Sequence, residues 1–168
     1  MGTYGDFPFS ALRFDLIFIW GAVATILLTI LLEGCRVLGF SRMSFTFVLG
    51  TLFTPSRNHA EIVGFLCHFI LGWLFALLYA LIFAALQYNS WWLGMVIGFF
   101  HALFLDLAVL PVLPHIHPRM ANEYDGPTPT RMLEPPGVMG LNYGHRTPQT
   151  SIAAHLLFGL VLGIFLGN

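Results

Sequence analysis

Four stretches of this chain are predominantly apolar for about 17 residues or more, and a helix of that length is enough to cross the hydrocarbon core of a bilayer. They run over residues 14–32, 62–86, 91–113 and 151–167. No water is present at that depth to satisfy an open backbone, so each stretch is expected to be a helix. Composition agrees. Of 168 residues, 57% are hydrophobic and 9% charged, against roughly 25% charged in an average soluble domain. An ordinary water-soluble protein is excluded. The expected fold is all-α: a polytopic transmembrane four-helix bundle forming a single membrane domain over residues 1–168.

Residues 43–53 are also apolar, but the run is too short to span. It reads as an interfacial or re-entrant helix, with a fifth span as the alternative. Four spans put the connections 33–61 and 114–150 on one side of the membrane, and together these hold six of the seven arginines; only Arg13 lies on the other side. The positive-inside rule then predicts cytoplasmic long loops, with both termini outside. Trp91 and Trp92 suit an interfacial anchor on the outer side. The chain contains no Lys and its formal net charge is −1, so a nucleic-acid-binding surface is not expected.

Gly2 to Pro8 carries Asp6 and no basic residue precedes Arg13, which argues against a targeting peptide. Leu32-Glu33-Gly34-Cys35 echoes a lipoprotein cleavage site only faintly, because Glu33 stands where a small residue is required. Cys35 and Cys67 fall in or beside apolar runs and are expected to be reduced and buried.

Reading every fourth position exposes one small or polar stripe per span: Gly21, Thr25, Thr29, Glu33; then Gly64, His68, Gly72, Ala76, Ala80, Ala84; then Gly94, Gly98, Ala102, Asp106; and Ser151, His155, Gly159, Gly163, Gly167. Such stripes let membrane helices approach closely and hydrogen-bond across the contact. The stripe on the last span serves either the internal core or a homo-oligomer interface. His68-Phe69-Ile70-Leu71-Gly72 and His155-Leu156-Leu157-Phe158-Gly159 form a weak local repeat.

The ionisable residues inside the spans are His68, His101, Asp106 and His155. Each is costly in hydrocarbon and needs a partner. At about 1.5 Å rise per residue, His155, His68 and Asp106 lie roughly 6, 9 and 10 Å from the loop-side end, and His101 roughly 18 Å. The first three also share the small-residue stripes. His101 is rotated about 140° from Asp106 on an ideal helix and is expected to be peripheral or separate, with a Pro111 kink too far along to unite the two. It adjoins Gly98 and Ala102, so it can still look inward and stays among the candidate metal residues. Neutral imidazoles and a carboxylate suit a divalent metal. His68 and His155 would alternatively be axial ligands of a haem or chlorin, or the group would relay protons. A purely structural lock, in which Asp106 hydrogen-bonds a histidine, is the remaining reading.

Eight of the ten prolines fall between residues 111 and 148, a segment expected to be neither regular helix nor central strand. Met120, Tyr124, Met132, Leu133, Val138, Met139, Leu141 and Tyr143 supply apolar anchors, so 114–150 is expected to fold back as a cap over the His/Asp level. It adds Glu123, Asp125, Glu134 and His145. His115 and His117, spaced as His-x-His in extended backbone, would face one side and suit a shared metal. The methionines would add soft ligands for copper, or serve simply as anchors.

His115-Ile116-His117-Pro118-Arg119-Met120, Glu123-Tyr124-Asp125-Gly126-Pro127, Leu133-Glu134-Pro135-Pro136-Gly137 and Gly140-Leu141-Asn142-Tyr143-Gly144 resemble the loop of a family of small, uncharacterised bacterial multi-pass membrane proteins. The resemblance runs from about Ser44 onward. It implies a bacterial inner-membrane location and the four-span layout, with no activity attached. No Gly-rich phosphate loop, redox dicysteine or nucleophilic triad is recognisable, which points away from a soluble-type enzyme. The expected function is divalent-metal binding by the His/Asp group. The alternatives are an accessory subunit of a larger membrane complex, including one that ligates a haem or chlorin, and a proton- or ion-conducting oligomer.

Overall fold

A computed structural model describes residues 12–122 and 130–166. Glu123, Tyr124, Asp125 and Gly167 lie outside them. Among the described residues the chain is helical without β-strands, apart from one isolated bridge between Met120 and Leu133. The order is α1 (Phe14–Val37), α2 (Phe45–Thr51), α3 (Arg57–Leu86), α4 (Trp91–Phe104), α5 (Leu110–Ile116) and α6 (Thr147–Phe165). A π-helical segment, Leu105–Val109, joins α4 to α5 as one continuous helix. Four helices are therefore long and apolar enough to cross a membrane: α1, α3, the α4–α5 unit and α6. At seven residues, or roughly 10 Å, α2 is too short to cross.

Helix ends follow capping rather than hydropathy. Ser44 Oγ accepts from the Phe47 N–H to start α2, and Ser90 Oγ accepts from the Leu93 N–H at 3.2 Å to start α4. At the far end of α3, Gln87 adopts a left-handed conformation, φ 49°, that turns the chain into α4. α3 begins five residues before its apolar run and α6 four before its own, with Pro148 in the first turn, where a missing N–H costs nothing.

The small-residue stripes are where the helices meet. α1 packs on α3 and α6, α4 on α6, and α2 on α3. A Cβ on Gly94 would run into the Gly159 carbonyl, and one on Gly72 into the Thr25 hydroxyl. Gly159 and Gly163 are consumed by α4, so the stripe on the last span serves the internal contact rather than the outer face. Ala24, Ala76, Tyr79, Phe83, Phe158 and Leu162 form a dense apolar layer across α1, α3 and α6.

The sequence expectation that residues 111–148 exclude regular helix fails at both ends, since α5 carries Pro111 and Pro114 and α6 begins at Thr147 with Pro148 in its first turn. Pro111 has no N–H, and its ring would collide with the carbonyl four residues back, at Leu107. Leu107 lies in the π-helical segment, where the widened turn gives that ring space. Asp106 sits on this turn, so the proline acts much closer to the ionisable residues than a simple kink at 111 implies.

At one end of the helices the two long connections are tied together. Arg42 N–H donates to the Tyr143 carbonyl at 2.8 Å, Ser41 and Thr147 hydroxyls lie 2.9 Å apart, and Arg119 Nη1 donates to the Thr51 and Leu52 carbonyls at 2.7 and 3.2 Å. Of the expected anchors, Met120, Leu133 and Tyr143 are buried, Met139 is half-buried, and Met132, Val138 and Leu141 are exposed. Both cysteines are free and half-buried rather than buried.

Candidate intramembrane His/Asp site

His68, His101, Asp106 and His155 all line one cavity of about 80 Å³ between α1, α3, the α4–α5 unit and α6. From the loop-side helix ends, His155, Asp106 and His68 lie about 12, 15 and 16 Å deep and His101 about 22 Å. They are farther from the helix ends than the apolar runs imply because at this end α3 and α6 begin before their runs and the α4–α5 unit continues past its own. His101, expected to be peripheral or separate though still able to look inward, reaches the same cavity. Its ring lies 4.6 Å, centroid to centroid, from that of His155 and stacks at 3.8 Å on Phe75. A 140° rotation is no barrier when the partner lies on another helix packed against that face.

Hydrogen-bond bookkeeping fixes the protons. His155 Nδ1 lies 2.8 Å from the Ser151 carbonyl, which only accepts, so Nδ1 carries the proton and Nε2 a lone pair. Thr29 Oγ1 donates its single proton to the Thr25 carbonyl at 2.7 Å. His68 Nδ1, 3.2 Å from that hydroxyl, must therefore donate to it, which leaves His68 Nε2 a lone pair as well. Ser151 Oγ donates to Asp106 Oδ1 at 2.9 Å. Asp106 Oδ2 and His101 Nε2 are buried with no hydrogen-bond partner among the described residues. The Tyr79 hydroxyl lies 3.4 Å from His101 Nδ1. Thr25 and Thr150 hydroxyls bond backbone carbonyls of their own helices.

The assigned groups on the cavity wall therefore include more acceptors than donors. The cavity offers two imidazole lone pairs and a carboxylate oxygen, and the hydroxyl protons of Thr25, Thr29, Thr150 and Ser151 are spent on the protein; with the Tyr79 hydroxyl donating to His101 Nδ1, His101 Nε2–H is left as an unpartnered donor among the described residues. An unpaired buried polar atom costs about 1–3 kcal/mol, so such a wall favours an occupant that is a cation or a strong donor. Among the described residues, however, no three His, Cys, Asp or Glu side chains already converge as a metal site.

The loop histidines do not join this group. His115 is exposed on the last helical turn of α5, whereas His117 is buried in extended backbone beyond it. The helix end falls between them, so the period-two geometry expected of His-x-His does not apply. His117 Nε2 donates to the Val48 carbonyl at 3.0 Å and Nδ1 accepts from the Arg119 N–H at 3.1 Å, leaving no nitrogen for a metal. Burial holds His117 below the ordinary histidine range, against the opposing pull of the Val48 carbonyl.

Thr29, Tyr79 and Ser151 were not among the residues assigned to the site from sequence. Thr29 and Ser151 lie on the four-residue stripes, one turn from Thr25 and His155, so the stripe itself was a usable signal. Tyr79 lies off its stripe and had none. Compared with protein-family models, curated proteins and solved structures, the chain matches none of them.

Proposed function

We propose that this chain is a small polytopic inner-membrane protein, a four-helix bundle with its proline-rich connection folded over the loop end, that binds a small cation in the His/Asp cavity. A divalent transition metal suits it best. The observation that carries the reading is the acceptor-rich wall: Nε2 lone pairs on His68 and His155, each with its Nδ1–H held by an oxygen, beside the unpartnered Asp106 Oδ2. Nδ1–H bonds of this kind orient imidazoles in metal sites. Imidazole nitrogen with one carboxylate fits zinc, iron or manganese. Water completes the coordination in the roughly 80 Å³ available.

The volume argues against a tetrapyrrole inside the chain, since pockets for molecules of that class run to about 300–1,000 Å³. The apolar layer of Tyr79, Phe83, Phe158 and Leu162 next to the cavity argues for a binding site over a continuous conduit. The arginine distribution supports cytoplasmic long loops, and the resemblance of the 115–144 motifs supports a bacterial inner membrane. Metal analysis of the detergent-purified protein tests the proposal: about one divalent ion per chain, lost in His68→Ala and His155→Ala. Metal-free protein after growth and purification with each candidate metal refutes it. An absorption spectrum of the same sample checks the tetrapyrrole alternative, and a Soret band would favour it.

A further inference from the structure

A second pocket of about 330 Å³ lies where α1 ends and α3 begins. Arg36, Arg42 and Arg57 line it together with Glu61, Glu134 and Tyr143. Arg36 is in the last turn of α1 and Arg57 is the first residue of α3, so the pocket sits at the depth where two membrane-crossing helices leave the hydrocarbon. In a bilayer crossed by these helices, that depth corresponds to the headgroup layer.

Its charges are arranged in opposite pairs. Arg42 Nη2 meets Glu134 at 3.2 Å, Arg57 Nε meets Glu61 at 3.9 Å, and Arg36 Nε meets Glu33, just outside the lining, at 2.5 Å. The three arginines and three glutamates balance. A fork-shaped guanidinium has five N–H donors, and the Nη groups of Arg36 and Arg57 make no hydrogen bond within the described residues. α3 adds a further positive feature. Its Ser56 cap makes no side-chain bond and its first turn has no acidic residue, so first-turn N–H groups and the helix dipole remain open to an anion. Deeper along α3, exposed Ile62, Phe65 and Leu66 provide an apolar track leading away from the pocket.

A neutral pocket that presents free donors beside carboxylates recognises a ligand of both signs joined to an apolar tail. We propose that it seats the headgroup of a zwitterionic aminophospholipid, with the phosphodiester on Arg36 and Arg57 and the ammonium on Glu61 and Glu134. A choline headgroup fits less well, because it cannot donate hydrogen bonds to the carboxylates. The aromatic faces that would otherwise hold it already lie under Arg42 and Arg57, with guanidinium carbons 5.8 and 5.9 Å from the Tyr143 and Phe47 ring centres.

The test is lipid retention. The full chain in mild detergent is equilibrated with micelles containing phosphatidylethanolamine, phosphatidylcholine or phosphatidylglycerol, washed, and its bound lipid counted by mass spectrometry. About one phosphatidylethanolamine per chain is expected, held about tenfold better than the other two lipids. Arg57→Gln and Glu61→Gln should each weaken retention about tenfold, the loss of one charge-assisted contact, with helix content and cavity metal unchanged. If Arg57→Gln loses helicity, Glu61→Gln carries the test. Equal retention of all three lipids, preference for phosphatidylglycerol, or variants indistinguishable from the parent would each overturn the proposal. Displacement of the lipid by millimolar inorganic phosphate would overturn it in favour of a free-phosphate site.

Discussion

Replacing Thr29 with Val leaves the side-chain shape almost unchanged and removes the one atom that fixes the His68 proton. The Thr29 hydroxyl donates to the Thr25 carbonyl at 2.7 Å and accepts from His68 Nδ1 at 3.2 Å. Without it, Nδ1–H has no acceptor at a residue only 7% exposed, and the neutral ring gains by moving its proton to Nε2. The cavity then loses one of its two lone pairs. Removing such an orienting partner typically weakens a metal by about 10- to 100-fold, or about 1.4–2.7 kcal/mol. The stability cost should be smaller, about 0.6 kcal/mol and at most roughly 1.7, the measured range for side-chain hydrogen bonds between membrane helices. Competition against a chelator of known affinity gives the first quantity, thermal unfolding in detergent the second, and nitrogen NMR of labelled histidine reports the tautomer directly. Unchanged metal affinity with a shifted tautomer would refute His68 as a ligand. An unshifted tautomer would refute the proton assignment.

Ser151→Ala removes the only donor to Asp106 among the described residues but leaves the Ser151 carbonyl on His155; it should destabilise the protein by about 1 kcal/mol in thermal unfolding, while the His155 tautomer seen by NMR stays unchanged. Gly159→Ala drives a methyl group into the Gly94 carbonyl, and overpacking of this kind costs about 1–3 kcal/mol. A melting temperature equal to the parent's would show that the α4–α6 contact is looser than described. His117 is held neutral in the folded protein, with its pKa below the ordinary 6.5. The unfolded chain takes up a proton that the folded chain refuses, so this contribution is complete above about pH 6.5 and is lost as the pH falls toward the folded value. Denaturation between pH 7 and 5 should therefore depend less on pH in His117→Asn than in the parent, and identical slopes would contradict the assignment.

What the sequence determined by itself is the one-dimensional part of this protein. Four runs of sufficient length and hydropathy gave the crossing helices, because a backbone in hydrocarbon has to satisfy itself locally. The stripes through Gly94, Gly98, Gly159 and Gly163 marked the close contacts, whereas a fifth crossing at residues 43–53 stayed open until the structure showed a helix of only seven residues there. The similar depths of His68, Asp106 and His155 followed from counting residues. Only the tertiary structure decided which groups meet. His101 joins His155 through the packing of two helices, a relation absent from either helix alone. The π-helical turn that carries Asp106 arises from Pro111 in a helix long enough to continue past it. His115 and His117 separate because a helix ends between them. Protons are placed by Thr29 and Ser151, whose role depends on which acceptor each one faces. Depth follows from chain length, whereas partnership and protonation are properties of contacts between segments far apart in the chain.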